Sequence, residues 1–89
     1  MHNEERTKLI KERLEKAFQP TQLDIIDESH QHVGHPGAQS GAGHFCVHIT
    51  SQHFNDLPLV IQHRLVYDVL ADLIPNEIHA LRIKTNFSA

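Results

Sequence analysis

"HFCVHIT", residues 44–50, alternates without a fault. Phe45, Val47 and Ile49 fall on one side of an extended chain and His44, Cys46, His48 and Thr50 on the other. A period of two is what a strand with one core-facing side requires, so the segment predicts a strand whose apolar side meets the core. Immediately upstream, Gly34, Pro36, Gly37, Gly41 and Gly43 break any regular structure, so the strand is entered from a loop. Beyond that loop, Thr21 to Glu28 alternates Leu23 and Ile25 with polar neighbours and reads as a second strand.

The flanks are helical. From Asn3 to Phe18, Ile10, Leu14, Ala17 and Phe18 follow helical spacing, while Glu4 with Lys8 and Glu12 with Lys16 form i,i+4 pairs on a solvated face. Pro20 stops this helix. Downstream, Asn55, Asp56 and Pro58 precede an amphipathic helix marked by Leu59, Val66, Leu70 and Leu73, running to Ile74 and ended by Pro75 and Asn76. Ile78 to Thr85, with Ile78, Leu81 and Ile83 beside Arg82 and Lys84, reads as a third strand. The expected order is helix, strand, strand, helix, strand: an α+β domain over residues 1–89 with both helices on one face of a three-stranded mixed sheet.

Connection rules fix the directions. Two consecutive strands joined by a loop pair antiparallel, and a strand reached through a helical crossover returns parallel. The strands at His44 and Ile78 should therefore begin at one end of the sheet, where the loop also sits. That end collects imidazoles. Histidine is the outlier of the composition, nine of 89 residues, and His30, His32, His35 and His44 would share one rim with His79. Neutral imidazole is a ligand for zinc and iron, so the rim is the candidate metal site. The alternative, a polar loop that tolerates histidine, stands beside it. His63 lies in the apolar arc of the second helix, which suits a core-capping role, while His48 and His53 are expected to face solvent. Cys46 is expected to be a small packing residue.

Composition narrows the function classes. A net charge of −3 argues against binding that depends on phosphate neutralisation. One cysteine permits no internal disulfide. The start of the chain, with Glu4 and Glu5, has neither a signal-like apolar run nor the acid-poor character of a transit peptide, and no stretch is long enough to span a bilayer. The expectation is a cytoplasmic chain with no membrane partner.

Four segments in this order, "LDIIDESHQH", "GHFCVHITSQHF", "QHRLVYDVL" and "IHALRI", resemble the BolA-like family from about residue 8 to residue 85. The resemblance implies a class II KH-like fold, in agreement with the element order above. It also implies a non-enzymatic partner of monothiol glutaredoxin, the two proteins sharing a 2Fe-2S cluster in iron-sulfur trafficking or in iron and stress regulation. In the family the histidine of the I-H-A-L segment is the principal ligand, which maps onto His79. A loop residue is the second: by its place after D-E-S this is His32, with His35 as the alternative and His30 as a weaker one. The glutaredoxin cysteine and a glutathione thiol complete the set. A protonated imidazole cannot ligate, so such a complex should weaken in mildly acidic buffer. The chain departs from the family pattern at Gln62, where arginine is more usual, at Asn55 and Asp56, where a glycine is usual, and in its additional His35.

Two other functions compete. Some BolA-like proteins are described as transcriptional regulators, and DNA binding would use Arg64, Arg82 and Lys84, the basic residues outside the first helix. Gly34-His35-Pro36-Gly37 has the G-x-x-G form of a KH clamp but lies between strands rather than helices, so it is set aside. A zinc hydrolase using the loop histidines with Asp27 or Glu28 as base would need three fixed ligands and a dry pocket, which a glycine-rich loop does not provide. Self-association into a homodimer is compatible with any of these readings.

Overall fold

The computed structural model describes residues 2–29 and 42–87. Helix α1 spans Asn3–Phe18, β1 Gln22–Asp27, β2 Gly43–Thr50, α2 Leu59–Leu70 and β3 Ile78–Asn86, with single 3₁₀ turns at Gln52–Phe54 and Ala71–Leu73. The sheet order is β1-β2-β3. β1 pairs antiparallel with β2, Leu23 opposite Ile49 and Ile25 opposite Val47. β3 pairs parallel with β2, Phe45 opposite Leu81 and Val47 opposite Ile83. Those seven residues make the sheet's inner face.

Ile10, Leu14 and Phe18 of α1 and Val66 and Leu70 of α2 pack on that face with Phe45, Val47, Ile49, Phe54, Leu73 and Ile78. Each side chain so buried contributes about 1.5–3 kcal/mol of transfer free energy, and the α1 stripe of positions 10, 14 and 18 is the helical period the sequence displays. α1 ends where Gln19 takes a left-handed conformation, φ 43°. Its N–H donates to Glu15 O, closing the last turn ahead of Pro20. Arg13 on α1 donates to Asp72 at the end of the second helical segment, and this hydrogen bond holds the Asp72 carboxyl below its ordinary pKa.

Three expectations need correction. α2 does not run to Ile74: it ends at Leu70 and tightens into the 3₁₀ turn that carries Leu73 into the core, because Pro75, five residues on, cannot continue the helix. Leu59 does not face the core: it is 61 % exposed, and Val60 beside it is 63 % exposed. The buried position of that first turn is Gln62 instead. Its Nε2 donates to Phe54 O (3.3 Å) and Leu57 O (2.8 Å), and its Oε1 accepts from Thr85. The residue that stands where arginine is more usual thus ties the helix start to the end of β3. Finally, β2 is covered on both sides at its start, His44 and Cys46 included. It is the central strand, so residues of both neighbouring strands flank it.

Asp56 adopts φ 64°, a left-handed conformation that costs a residue with a Cβ about 1–2 kcal/mol. This explains why a glycine suits the turn. Asp56→Gly is expected to stabilise the chain by about 1 kcal/mol, measured as a higher urea midpoint at unchanged slope; a lower midpoint would mean that the aspartate side chain offsets the strain.

Candidate functional site

The parallel pair begins irregularly. Gly43 is opposite Ile78, but His44 is opposite Ala80, so His79 is the extra residue of a β-bulge. A bulge leaves one residue out of the ladder and re-aims its side chain. Ile78 can therefore enter the core, fully buried, while His79 next to it is exposed. The His79 ring comes to rest 5.1 Å from that of His44, centroid to centroid, tilted by 54°. Two imidazoles on one tetrahedral ion, each nitrogen about 2.1 Å from the metal, hold their centroids about 5 Å apart. The spacing of the pair fits a shared ligand.

The D-E-S segment at the base of the loop is engaged throughout. Asp27 Oδ1 accepts from the Ser29 N–H at 2.9 Å. Ser29 Oγ accepts from the His44 N–H at 3.0 Å and from Asn3 Nδ2 at 3.1 Å. Glu28 accepts two bonds from Arg82, at 3.0 and 2.8 Å, a fork that joins the end of β1 to β3 across the central strand. The Glu28 carboxylate raises the Arg82 pKa above its ordinary value, by hydrogen bond first and by charge second, and the Cys46 thiol adds a smaller contribution. Cys46 is fully buried, a packing residue as expected.

α1 reaches the same end. Arg6, only 8 % exposed, donates from Nε to Glu77 Oε1 at 2.9 Å and from a terminal nitrogen to Asn3 Oδ1 at 2.9 Å. The Glu77 backbone oxygen accepts the Gly43 N–H at 3.0 Å. Gly43 itself has no space for a side chain: a Cβ there would lie 2.3 and 2.6 Å from two Phe45 ring carbons.

The predicted convergence of His44 and His79 is therefore present. His30, His32 and His35 lie outside the described residues, as does Gly34 to Gly37. Among the described residues there is no group of three or more histidine, cysteine, aspartate or glutamate side chains arranged to hold a metal ion. Of the basic residues, Arg64 and Lys84 are exposed, whereas Arg82 is committed to Glu28. His48 is half-buried rather than solvent-facing, and His63 is half-buried. His53 is exposed, with Nδ1 3.1 Å from Ser51 Oγ. That serine is no nucleophile, since its hydroxyl donates to Phe18 O at 2.7 Å in the core. Asp27 and Glu28, the bases a hydrolase would need, are both bound to structural partners. Missed at the level of sequence were the bulge and the Arg6 contacts.

No helix among the described residues is long and apolar enough to cross a membrane. The family model for BolA-like protein matches residues 14–88. The chain is 42 % identical over 79 residues to SufE-like protein 1, chloroplastic/mitochondrial, of Arabidopsis thaliana, covering 83 % of this chain and 21 % of that protein. It is 40 % identical over 83 residues to Protein BOLA1, chloroplastic, of the same plant, covering 90 % and 52 %. It thus spans about a fifth of one relative and about half of the other. A DNA-binding transcriptional regulator BolA from Escherichia coli is 37 % identical over 76 residues, 85 % of this chain and 70 % of that one. The solved BolA domain of SufE1 from Arabidopsis thaliana superposes with a TM-score of 0.81 at 39 % identity, over 92 % of this chain and 91 % of that chain. With matching motifs, topology and an extensive family match, the chain belongs to the BolA-like family.

Proposed function

We propose that this chain is a non-enzymatic partner of a monothiol glutaredoxin and contributes histidine ligands to a shared 2Fe-2S cluster, in iron-sulfur trafficking or iron and stress regulation. The observation that carries the reading is the exposed, bulge-borne His79 ring beside the His44 ring at the rim where the loop is anchored. The donor set fits a shared group. The described residues offer the two imidazoles and no complete cage, which suits a group held jointly with other ligands. His79 would be the principal ligand and His32 the second, with His35 its alternative; thiolates would come from the glutaredoxin and from glutathione. When bound, the cluster supplies a transferable iron-sulfur unit whose potential rises when histidine replaces thiolate. The chain's own part is to present His79 outward, keep His44 against it, and fix the loop base through Asp27, Glu28 and Ser29.

The test is to mix the chain with cluster-loaded monothiol glutaredoxin and record visible circular dichroism for wild type, His79→Ala and His32→Ala. The mixed-complex signal should be lost in His79→Ala and altered in His32→Ala. Three identical spectra would exclude both side chains as ligands.

A second reading is DNA binding, favoured by the name of the Escherichia coli relative. Arg64 and Lys84 would meet phosphates, with Arg82 held back by Glu28. Neutralising two or three phosphates gives a slope of log affinity against log salt of about −2 to −3. Equal binding to unrelated duplexes, with a slope no steeper than that, would assign any DNA affinity to charge alone.

A further inference from the structure

We infer that Arg6 is a positioning residue for the histidine rim, acting through Glu77 on the strand start that carries His79 and through Asn3 and Ser29 on the one that carries His44. The inference rests on the reading of the rim as a ligand site. It deepens that reading by naming what sets the distance between the rings.

A guanidinium in the last tenth of its exposure bears a desolvation cost that only good partners offset. Arg6 spends its donors in two directions. One arm reaches Glu77, 71 positions away along the chain and two before His79. The Glu77 backbone is fixed on both sides, its N–H donating to Leu73 O at 2.8 Å and its carbonyl accepting from Gly43. Glu77 therefore sits at the point where the two parallel strands meet, immediately before the bulge. The second arm reaches Asn3, whose amide donates to Ser29 Oγ, the acceptor of the His44 N–H. Asn3 Oδ1 also stands 3.0 Å from the place a Gly43 Cβ would occupy, so it packs against the strand start directly.

One side chain thus braces the beginnings of both strands, whose second residues, His44 and His79, face each other at 5.1 Å. Nothing in the fold of the core requires this arrangement. The apolar stripe of α1 is already complete with Ile10, Leu14 and Phe18, and a methionine at position 6 would continue it. What a methionine cannot do is grip Glu77 and Asn3 together.

The experiment uses the full chain as wild type, Arg6→Met, Arg6→Lys, Asn3→Ala and His79→Ala. Two readouts are taken by NMR: the NOE between the His44 and His79 ring protons without metal, and Zn²⁺ affinity followed at the ring nitrogens of these two residues. Arg6→Met is expected to abolish the NOE and to weaken Zn²⁺ binding at His79 by about 10- to 100-fold, the usual cost of losing an outer partner of a ligand, while the α2 amide resonances stay in place. Arg6→Lys, which keeps the charge but not the fork, should restore part of the affinity, and Asn3→Ala should lose less than Arg6→Met. A lower melting temperature with the NOE retained and affinity within twofold would overturn the inference. If Arg6→Met does not fold, Asn3→Ala decides by the same two readouts. Zn²⁺ binding that His79→Ala leaves unchanged would instead remove the rim as a ligand site, and the NOE would still judge the role of Arg6.

Discussion

Phe45→Ala is expected to lower the unfolding free energy by about 3–5 kcal/mol, seen as a large fall in the urea midpoint with little change in slope. The ring is 1 % exposed, on the inner face of the central strand, between the partners Asp27 of β1 and Leu81 of β3. It is among the largest fully buried side chains. The surrounding groups are held by two helices and a sheet, so a cavity left there can collapse only partly, and the lost transfer free energy is joined by a cavity cost. Against a total stability of about 5–15 kcal/mol for a domain of this kind, the loss is enough to leave a substantial unfolded population. A fall of less than about 1 kcal/mol would mean that the site closes over the missing ring.

Gly43→Ala is the second large effect, and it runs against ordinary propensity. In a strand alanine is favoured over glycine by roughly 0.5–1 kcal/mol. Here the added methyl would meet the Phe45 ring at 2.3 and 2.6 Å, distances that real Cβ contacts do not show. Either the ring leaves its rotamer or the strand start shifts, at a net cost of about 1–3 kcal/mol. A strand shift would also disturb the Gly43 N–H bond to Glu77 and with it the bulge. A double-mutant cycle isolates the cause: in a Phe45→Leu background the penalty of Gly43→Ala should shrink by more than about 0.5 kcal/mol. Equal penalties in both backgrounds would show that the aromatic ring is not what the methyl meets.

The sheet was legible because its signals are periodic and local. Alternation in residues 44–50 and glycine punctuation upstream give strands and loop, and connection rules then give an antiparallel and a parallel pair in the right places. From these the meeting of His44 and His79 follows without any side-chain detail. What escaped depends on contacts between residues far apart in sequence. The bulge at His79 arises because Ile78 must enter the core one step before the ladder with His44 resumes, which no single-strand pattern announces. The burial of His44 and Cys46 follows from β2 being the middle strand, and that of Gln62 from acceptors at Phe54 and Leu57 and a donor at Thr85, all outside its own helix. Arg6 stands one turn ahead of Ile10 on the buried stripe of α1, and nothing near it in sequence announces Glu77 as its partner. The loop histidines His30, His32 and His35 lie outside the described residues, so whether one of them is the proposed second ligand is decided by the spectra.

Parallel pairing of the middle strand with the last has a thermodynamic corollary. Neither ring can find the other through neighbours in sequence; the loop closure that joins them is made only when the whole sheet is assembled, a non-local and therefore slow event. A ligand that grips both rings is thus blind to the unfolded chain and selects the finished one. By mass action, free ligand at one hundred times its dissociation constant would add about 2.7 kcal/mol to stability, making thermal denaturation itself an assay for whatever occupies the rim.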